Sequence, residues 1–170
     1  MFDRDFTFTG KHATYVKLLV HNAKLYKRYM DVYMSGAVFG LLHNRKAPRD
    51  TSSTDDATIP AGTLIGSRDT CMLLYRLAML LGDATTLDQQ ARIDRAFRDD
   101  ANEEEPEKLQ ENLELFNSFV RGGIEEMYEE FIDGHGTTSE EYLERALDVM
   151  EGFRDDMNGE GYKEKISAII

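Results

Sequence analysis

Cys71-Met72-Leu73-Leu74-Tyr75-Arg76-Leu77-Ala78-Met79-Leu80-Leu81-Gly82 is the most apolar run in this chain of 170 residues, with ten of its twelve residues apolar. A helix so uniform in character buries nearly its whole circumference, so the run reads as the central helix of a bundle, over about residues 67–82. It reaches roughly half of the ~20 residues that a membrane-spanning helix needs, and Arg76 interrupts it. Gly82 is a natural C-terminal stop. Asp69, Arg76 and Asp83 recur seven apart and form the one narrow polar stripe.

Upstream of this run, Phe2, Phe6 and Phe8 alternate with polar residues, which predicts a short strand or an extended arm before Gly10. Tyr15, Leu18, Leu19, Leu25, Tyr29 and Val32 recur at helical spacing, so one helix is expected over about 11–33. Residues 36–43 continue in helical character. Gly36 and Gly40, four apart, suit the close approach of another helix, although each costs ~1 kcal/mol of helix propensity relative to alanine. Residues 44–59 (NRKAPRDTSSTDDATI) are polar and longer than an ordinary connection, which predicts a functional or disordered loop, with disorder favoured by composition.

Downstream, Thr86-Leu87-Asp88-Gln89 is a capping-box pattern that opens a helix to about residue 100. Pro106 fits the first turn of a long helix whose stripe is Leu109, Leu113, Phe116, Val120, Ile124, Met127 and Phe131. The stripe keeps phase through Gly122-Gly123, where a kink or short break is expected. Thr138-Ser139-Glu140-Glu141 is a second capping box, followed by Tyr142, Leu143, Ala146, Leu147, Met150 and Phe153 on one face. The end of the sequence, residues 159–170, suits pairing with the Phe-rich arm or docking as a last turn. No internal repeat is visible. The fold class is therefore all-α: a single domain, 1–170, of five to six helices.

Charge is distributed unevenly. The chain carries 20 Lys+Arg and 32 Asp+Glu, a net −12. Residues 1–82 contain 11 Lys+Arg, 7 Asp and no Glu (+4), and the remaining residues contain 9 Lys+Arg and 25 acids (−16). The total argues against general binding to nucleic acid or anionic membrane. The split instead suggests either two distinct surfaces or two halves that pair their charges internally.

On the basic side, Lys17, His21, Lys24 and Arg28 fall at i, i+4, i+7 and i+11, on one face of the expected helix, with Lys27 alongside. Tyr15, Tyr26, Tyr29 and Tyr33 are interleaved, and Arg45, Lys46 and Arg49 in the loop extend the set. Cations at this spacing neutralise phosphates and tyrosine rings stack on unpaired bases. The plainer alternative is the solvated face of an amphipathic helix whose tyrosines serve the core.

On the acidic side, Glu125, Glu129 and Asp133 share a helical face with His135 just beyond, but the chain lacks the paired Glu-x-x-His motifs of a di-iron bundle, and a solvated acidic face is expected. Asp156–Gly161 superficially resembles a calcium loop, yet Ser167 stands at position twelve, where a bidentate glutamate belongs. The lone Cys71 excludes a disulfide framework and lies where a thiol is buried and inert. His12, His21, His43 and His135 show no hydrolase or metalloprotease spacing, and no phosphate or dinucleotide fingerprint is present. No catalytic residue, cofactor or metal is therefore assigned. Arg76, in an apolar helix, must reach solvent, a carboxylate such as Asp69, or a bound anion.

These features predict a non-catalytic interaction protein, for example an accessory subunit of a nucleic-acid-handling complex. Its contact surfaces would be the basic N-terminal face and the acidic C-terminal helices, with a protein partner or a second copy docking on the latter. The alternative is a small enzyme or ligand-binding bundle with an anion or metal site near Arg76 or His135. Met1-Phe2-Asp3-Arg4-Asp5 lacks the basic-then-apolar order of a signal peptide, and no membrane segment is seen, so a cytoplasmic location is expected.

Overall fold

The helical reading is met. The computed structural model describes residues 1–82, 86–99 and 106–158, most of them helical. Among these residues are β1 (Phe6–Thr9), α1 (Lys11–Lys17), α2 (Tyr29–Leu42), β2 (Asp56–Ile59), α3 (Ala61–Gly66), α4 (Arg68–Leu81), α5 (Gln89–Phe97), α6 (Pro106–Phe131) and α7 (Ser139–Asn158). A π-helical turn, Leu18–Asn22, extends α1.

Glycine lets α2 and α6 approach closely. A methyl group on Gly40 would stand 2.0 Å from the Phe119 carbonyl oxygen, and one on Gly123 would stand 1.9 Å from that of Gly36. Contacts step in the same direction along both helices: Tyr33 donates to Asn117 at 2.9 Å, Gly36 lies against Val120, and His43 meets Glu126 at 3.0 Å. The two helices therefore run roughly parallel. Gly36 and Gly40 act as their spacing predicts. Through Gly122 and Gly123 α6 continues as one helix of 26 residues, as the unbroken phase of its stripe predicts, and the short break allowed there is absent. Gly123 is the facing half of the seam, and a methyl group on Gly122 would meet the Arg45 carbonyl oxygen at 2.2 Å.

The seam also relocates the centre of the molecule. Phe116, Val120, Ile124 and Met127 of α6 are fully buried against Met30, Tyr33 and Ala37 of α2. The apolar run that reads as a central helix, α4, is buried on one face only, through Cys71, Leu74, Tyr75, Ala78 and Met79. Leu73, Leu77 and Leu81 lie on its outer face, 58 %, 37 % and 50 % exposed. Composition specified an apolar helix but not which of its leucines would find neighbours.

Two further expectations change. Residues 11–33 are not one helix: after the π-helical turn, Lys24 takes a left-handed conformation (φ 56°) and Arg28 is extended, so residues 23–28 form a bend between α1 and α2. Residues 44–59 are not a loop throughout: the connection ends in β2. The arm becomes β1, pairing antiparallel with β2 in the register Phe6↔Ile59 and Phe8↔Ala57. Asp50 anchors this connection, accepting the Lys11 N–H at 2.6 Å and the Ser52 N–H at 3.0 Å. These N–H donors hold its carboxyl down to about 2. Gly10 (φ 62°) is required there, because a methyl group would stand 2.2 Å from the same carboxylate.

The second capping box forms as read, with the Glu141 N–H donating to Thr138 Oγ1 and the Thr138 N–H to Glu141 Oε2. The first is displaced by two residues: Asp88, not Thr86, caps α5 by accepting the Ala91 N–H at 2.8 Å. Residues 156–158 of the expected Asp156–Gly161 turn continue α7, while its second half and the pairing of residues 159–170 with the arm lie outside the described residues.

Candidate functional site

The acidic face of α6 is the floor of a half-buried ionic cluster rather than a solvated surface. Glu125, 13 % exposed, accepts from Lys11 Nζ and His12 Nε2 at Oε1, each at 2.9 Å, and from Arg45 Nη2 at Oε2 at 3.2 Å. Arg45 also reaches Glu126 at 2.7 Å and Glu129 at 2.5 Å. His43 Nδ1 joins Glu126 at 3.0 Å. Burial pushes the Glu125 carboxyl up, but the Lys11 and His12 donors outweigh it and hold it below its ordinary value. For His12 the balance runs the other way: burial lowers its pKa more than Glu125 raises it. Above its ordinary pKa the ring is thus neutral, donating Nε2–H to Glu125, while its buried Nδ1 finds no partner among the described residues. Hydrogen bonds to Glu129 and Glu126 raise the Arg45 pKa despite partial burial. Part of the charge asymmetry in the sequence is therefore internal pairing between the halves.

The candidate phosphate-binding residues are consequently scattered. Lys17 pairs with Asp55 of the connection, which Thr14 also reaches. Arg28 pairs with Asp31 at 2.6 Å, and His21 Nε2 lies 2.8 Å from the Tyr29 hydroxyl. Arg45 belongs to the α6 cluster, and Lys46 sits 4.9 Å over the Phe119 ring. Lys24 and Lys27, both exposed in the 23–28 bend, form no ion pair among the described residues. The interleaved tyrosines serve packing: Tyr15 stacks on Tyr128 at 3.8 Å, Tyr26 donates to the Met127 sulfur, and Tyr33 is buried.

Arg76 does not reach Asp69. Its guanidinium lies 5.1 Å over the Phe97 ring, and its buried Nε has no hydrogen bond among the described residues. His135 is exposed in the turn after α6. Among the described residues no group of three or more His, Cys, Asp or Glu is gathered so as to hold a metal ion, and no helix is long and apolar enough to cross a membrane. Burial pushes the Cys71 thiol up to about 11.

The surface that sequence reading misplaced is on α7. Its apolar residues fall into two sets. Tyr142, Ala146 and Val149 pack inward. Leu143, Leu147, Met150 and Phe153 face outward, 53 %, 52 %, 66 % and 45 % exposed. The helix is fixed to α6 by Arg145, which donates to the Glu130 carbonyl and carboxylate at 2.9 Å each. Glu140, Glu144, Asp148 and Glu151 are exposed on the same helix. An apolar band wider than one helix face was the available signal, because a helix on the outside of a fold can bury only one of its sides.

Comparison with protein-family models, with curated proteins and with solved structures finds no match for this chain.

Proposed function

We propose that this chain is a single helical unit that works as a non-catalytic interaction protein, with α7 as its principal contact surface. One observation carries the reading: four large apolar side chains at helical spacing are each about half exposed on a helix that is otherwise acidic. Contiguous exposed apolar surface rimmed by charge is characteristic of protein-contact sites. The acids select a partner whose apolar face is flanked by Lys and Arg, in the manner of an amphipathic helix laid against α7. The bend at Lys24 and Lys27 is a second, smaller surface for phosphates, which suits an accessory subunit of a nucleic-acid-handling complex in the cytoplasm. In this reading Lys17, Arg28 and Arg45 position structure and contribute little free charge.

The test is fluorescence anisotropy of the full chain with a labelled amphipathic helical peptide whose leucine stripe is flanked by lysines. Saturable binding is expected to weaken at least tenfold in Leu147→Asp, a change that a half-exposed site tolerates without unfolding. Equal binding by Leu147→Asp and the unaltered chain would reduce the interaction to non-specific charge and overturn the proposal.

A further inference from the structure

Among the described residues the sheet has two strands, and no third strand lies against the outer edge of β1 at Thr7. In an antiparallel ladder the hydrogen-bonded pairs alternate. The Gly10 N–H donates to the Asp55 carbonyl at 3.0 Å, so by the register the pairs Phe8–Ala57 and Phe6–Ile59 exchange hydrogen bonds. Thr7 and Thr9 form the intervening pairs, consistent with the 2.9 Å contact between the Thr7 and Thr58 hydroxyls. Their N–H and C=O groups therefore turn away from β2, and Thr7 finds no main-chain partner there among the described residues.

That edge opens onto a cleft of about 360 Å³, lined by β1 itself, Arg49, and Glu114, Asn117 and Arg121 of α6. A second cleft of about 340 Å³ shares Asp5, Phe6 and Asn117 with it and adds Phe2, Leu64, Leu109 and Leu113. The two form one groove along β1, polar at the Thr9 end and apolar at the Phe2 end. Its polar wall is built. The Arg121 side chain is only 7 % exposed and is held by the Ala47 carbonyl at 2.9 Å and by Glu114. Asn117 accepts from Tyr33, which leaves its amide N–H₂ free to donate. Two cations of the groove lack a carboxylate partner among the described residues, Arg4 at the Phe2 end and Arg49 at the Thr9 end. Arg121 has Glu114 and Asp5 receives the Ala61 N–H, while Arg49 touches only the Thr9 hydroxyl, at 3.4 Å, and pairs with no carboxylate among the described residues.

We infer that the free edge of β1 accepts an extended peptide from a partner protein, which adds as a third strand with an apolar side chain in the Phe2 pocket and a carboxylate on Arg49. Strand addition derives affinity from main-chain hydrogen bonds and specificity from the pockets beside them. An unpaired edge favours such pairing unless something blocks it, and no bulge, proline or lysine lies within β1 to do so. The site is separate from α7, so either proposal can fail without the other.

The experiment is amide hydrogen exchange by NMR on the full chain, free and with two labelled heptapeptides of alternating Thr and Val. One carries Leu near its N-terminus and Asp near its C-terminus, and the other the reverse order. In the free protein the Thr7 amide should exchange quickly while Phe6 and Phe8 are protected, which also verifies that the sheet is formed. One of the two peptides should slow Thr7 exchange at least tenfold, and Arg49→Glu should weaken its binding by a similar factor. Replacing the peptide Asp by Lys should restore binding to Arg49→Glu. Absence of Thr7 protection with both peptides overturns the proposal. So does a Thr7 amide already protected in the free protein: if independent of concentration, it means that residues 159–170 fill the groove, and if dependent, that a second copy does.

Discussion

His12 shows how one side chain ties the ends of the described chain together. It opens α1, is only 1 % exposed, and its Nε2 reaches Glu125, 113 residues away. Burial lowers its pKa below the ordinary 6.5, so between that value and the folded one the unfolded chain binds a proton that the native state refuses. Stability conferred by this site is therefore complete above about pH 6.5 and declines as the pH falls, by up to about 1.4 kcal/mol per pH unit. Glu125 has the opposite chemistry and the same sign. Its pKa is below the ordinary 4.5, so its contribution is present above that pH and is lost below it. Urea denaturation at half-unit steps from pH 7.5 to 4 should show both declines. His12→Gln, which retains a donor for Glu125, should flatten the upper one and leave the lower. An unchanged slope between pH 6.5 and 5 in that variant would remove His12 as its cause.

At the scale of elements, the α2–α6 seam makes one chemical change give opposite results at different glycines. Gly40→Ala or Gly123→Ala places a methyl group about 2 Å from main-chain atoms that cannot move aside, and each should cost 1–3 kcal/mol or more, typically about the cost of overpacking a core. Gly152→Ala, in an exposed part of α7 with open space around it, should stabilise by about 1 kcal/mol through helix propensity. Thermal melts of the three variants decide the matter, and a Gly123→Ala protein as stable as the parent would mean that the seam is wider than described. Half of this seam is legible in sequence, since Gly36 and Gly40 at four-residue spacing have few other uses in a helix. Gly122-Gly123 is ambiguous, because a kink and a contact call for the same residue, and only the facing helix distinguishes them. The 11–33 segment misleads for a related reason. Its apolar spacing stays helical, while the interruption depends on the left-handed Lys24, a residue with no glycine-like signature. In the 44–59 connection, Asp50 and Asp55 resemble solvated loop acids in composition. They become anchors only because Lys11 and Lys17 come alongside.

At the scale of the whole molecule, the division of charge into +4 and −16 was visible, but its use was not, because pairing is a property of the folded arrangement. Lys11, His12, His43 and Arg45 meet three carboxylates of α6, so part of the charge of the basic half serves to hold the fold together. Among the surfaces that face outward are the acidic, apolar α7 and the small basic bend at Lys24 and Lys27. The consequence for nucleic acid is quantitative. If Lys17, Lys24, Arg28, Arg45 and Lys46 all met duplex phosphates, log K against log salt would fall with a slope of roughly −4.5. Of that set Lys17, Arg28 and Arg45 are held in ion pairs, and if the bend at Lys24 and Lys27 alone met phosphates, about two would be neutralised and the slope should be near −1.8. Binding should therefore be weak, and repulsion from a net −12 weakens it further. Anisotropy titrations with labelled single- and double-stranded oligonucleotides between 50 and 200 mM salt measure that slope, and Lys24→Glu with Lys27→Glu should abolish what binding there is. A slope near −4.5 would require Lys17, Arg28 and Arg45 to leave their carboxylates for phosphate. In that event Arg45→Gln should remove nucleic-acid affinity as well as stability, whereas a purely structural Arg45 loses stability alone.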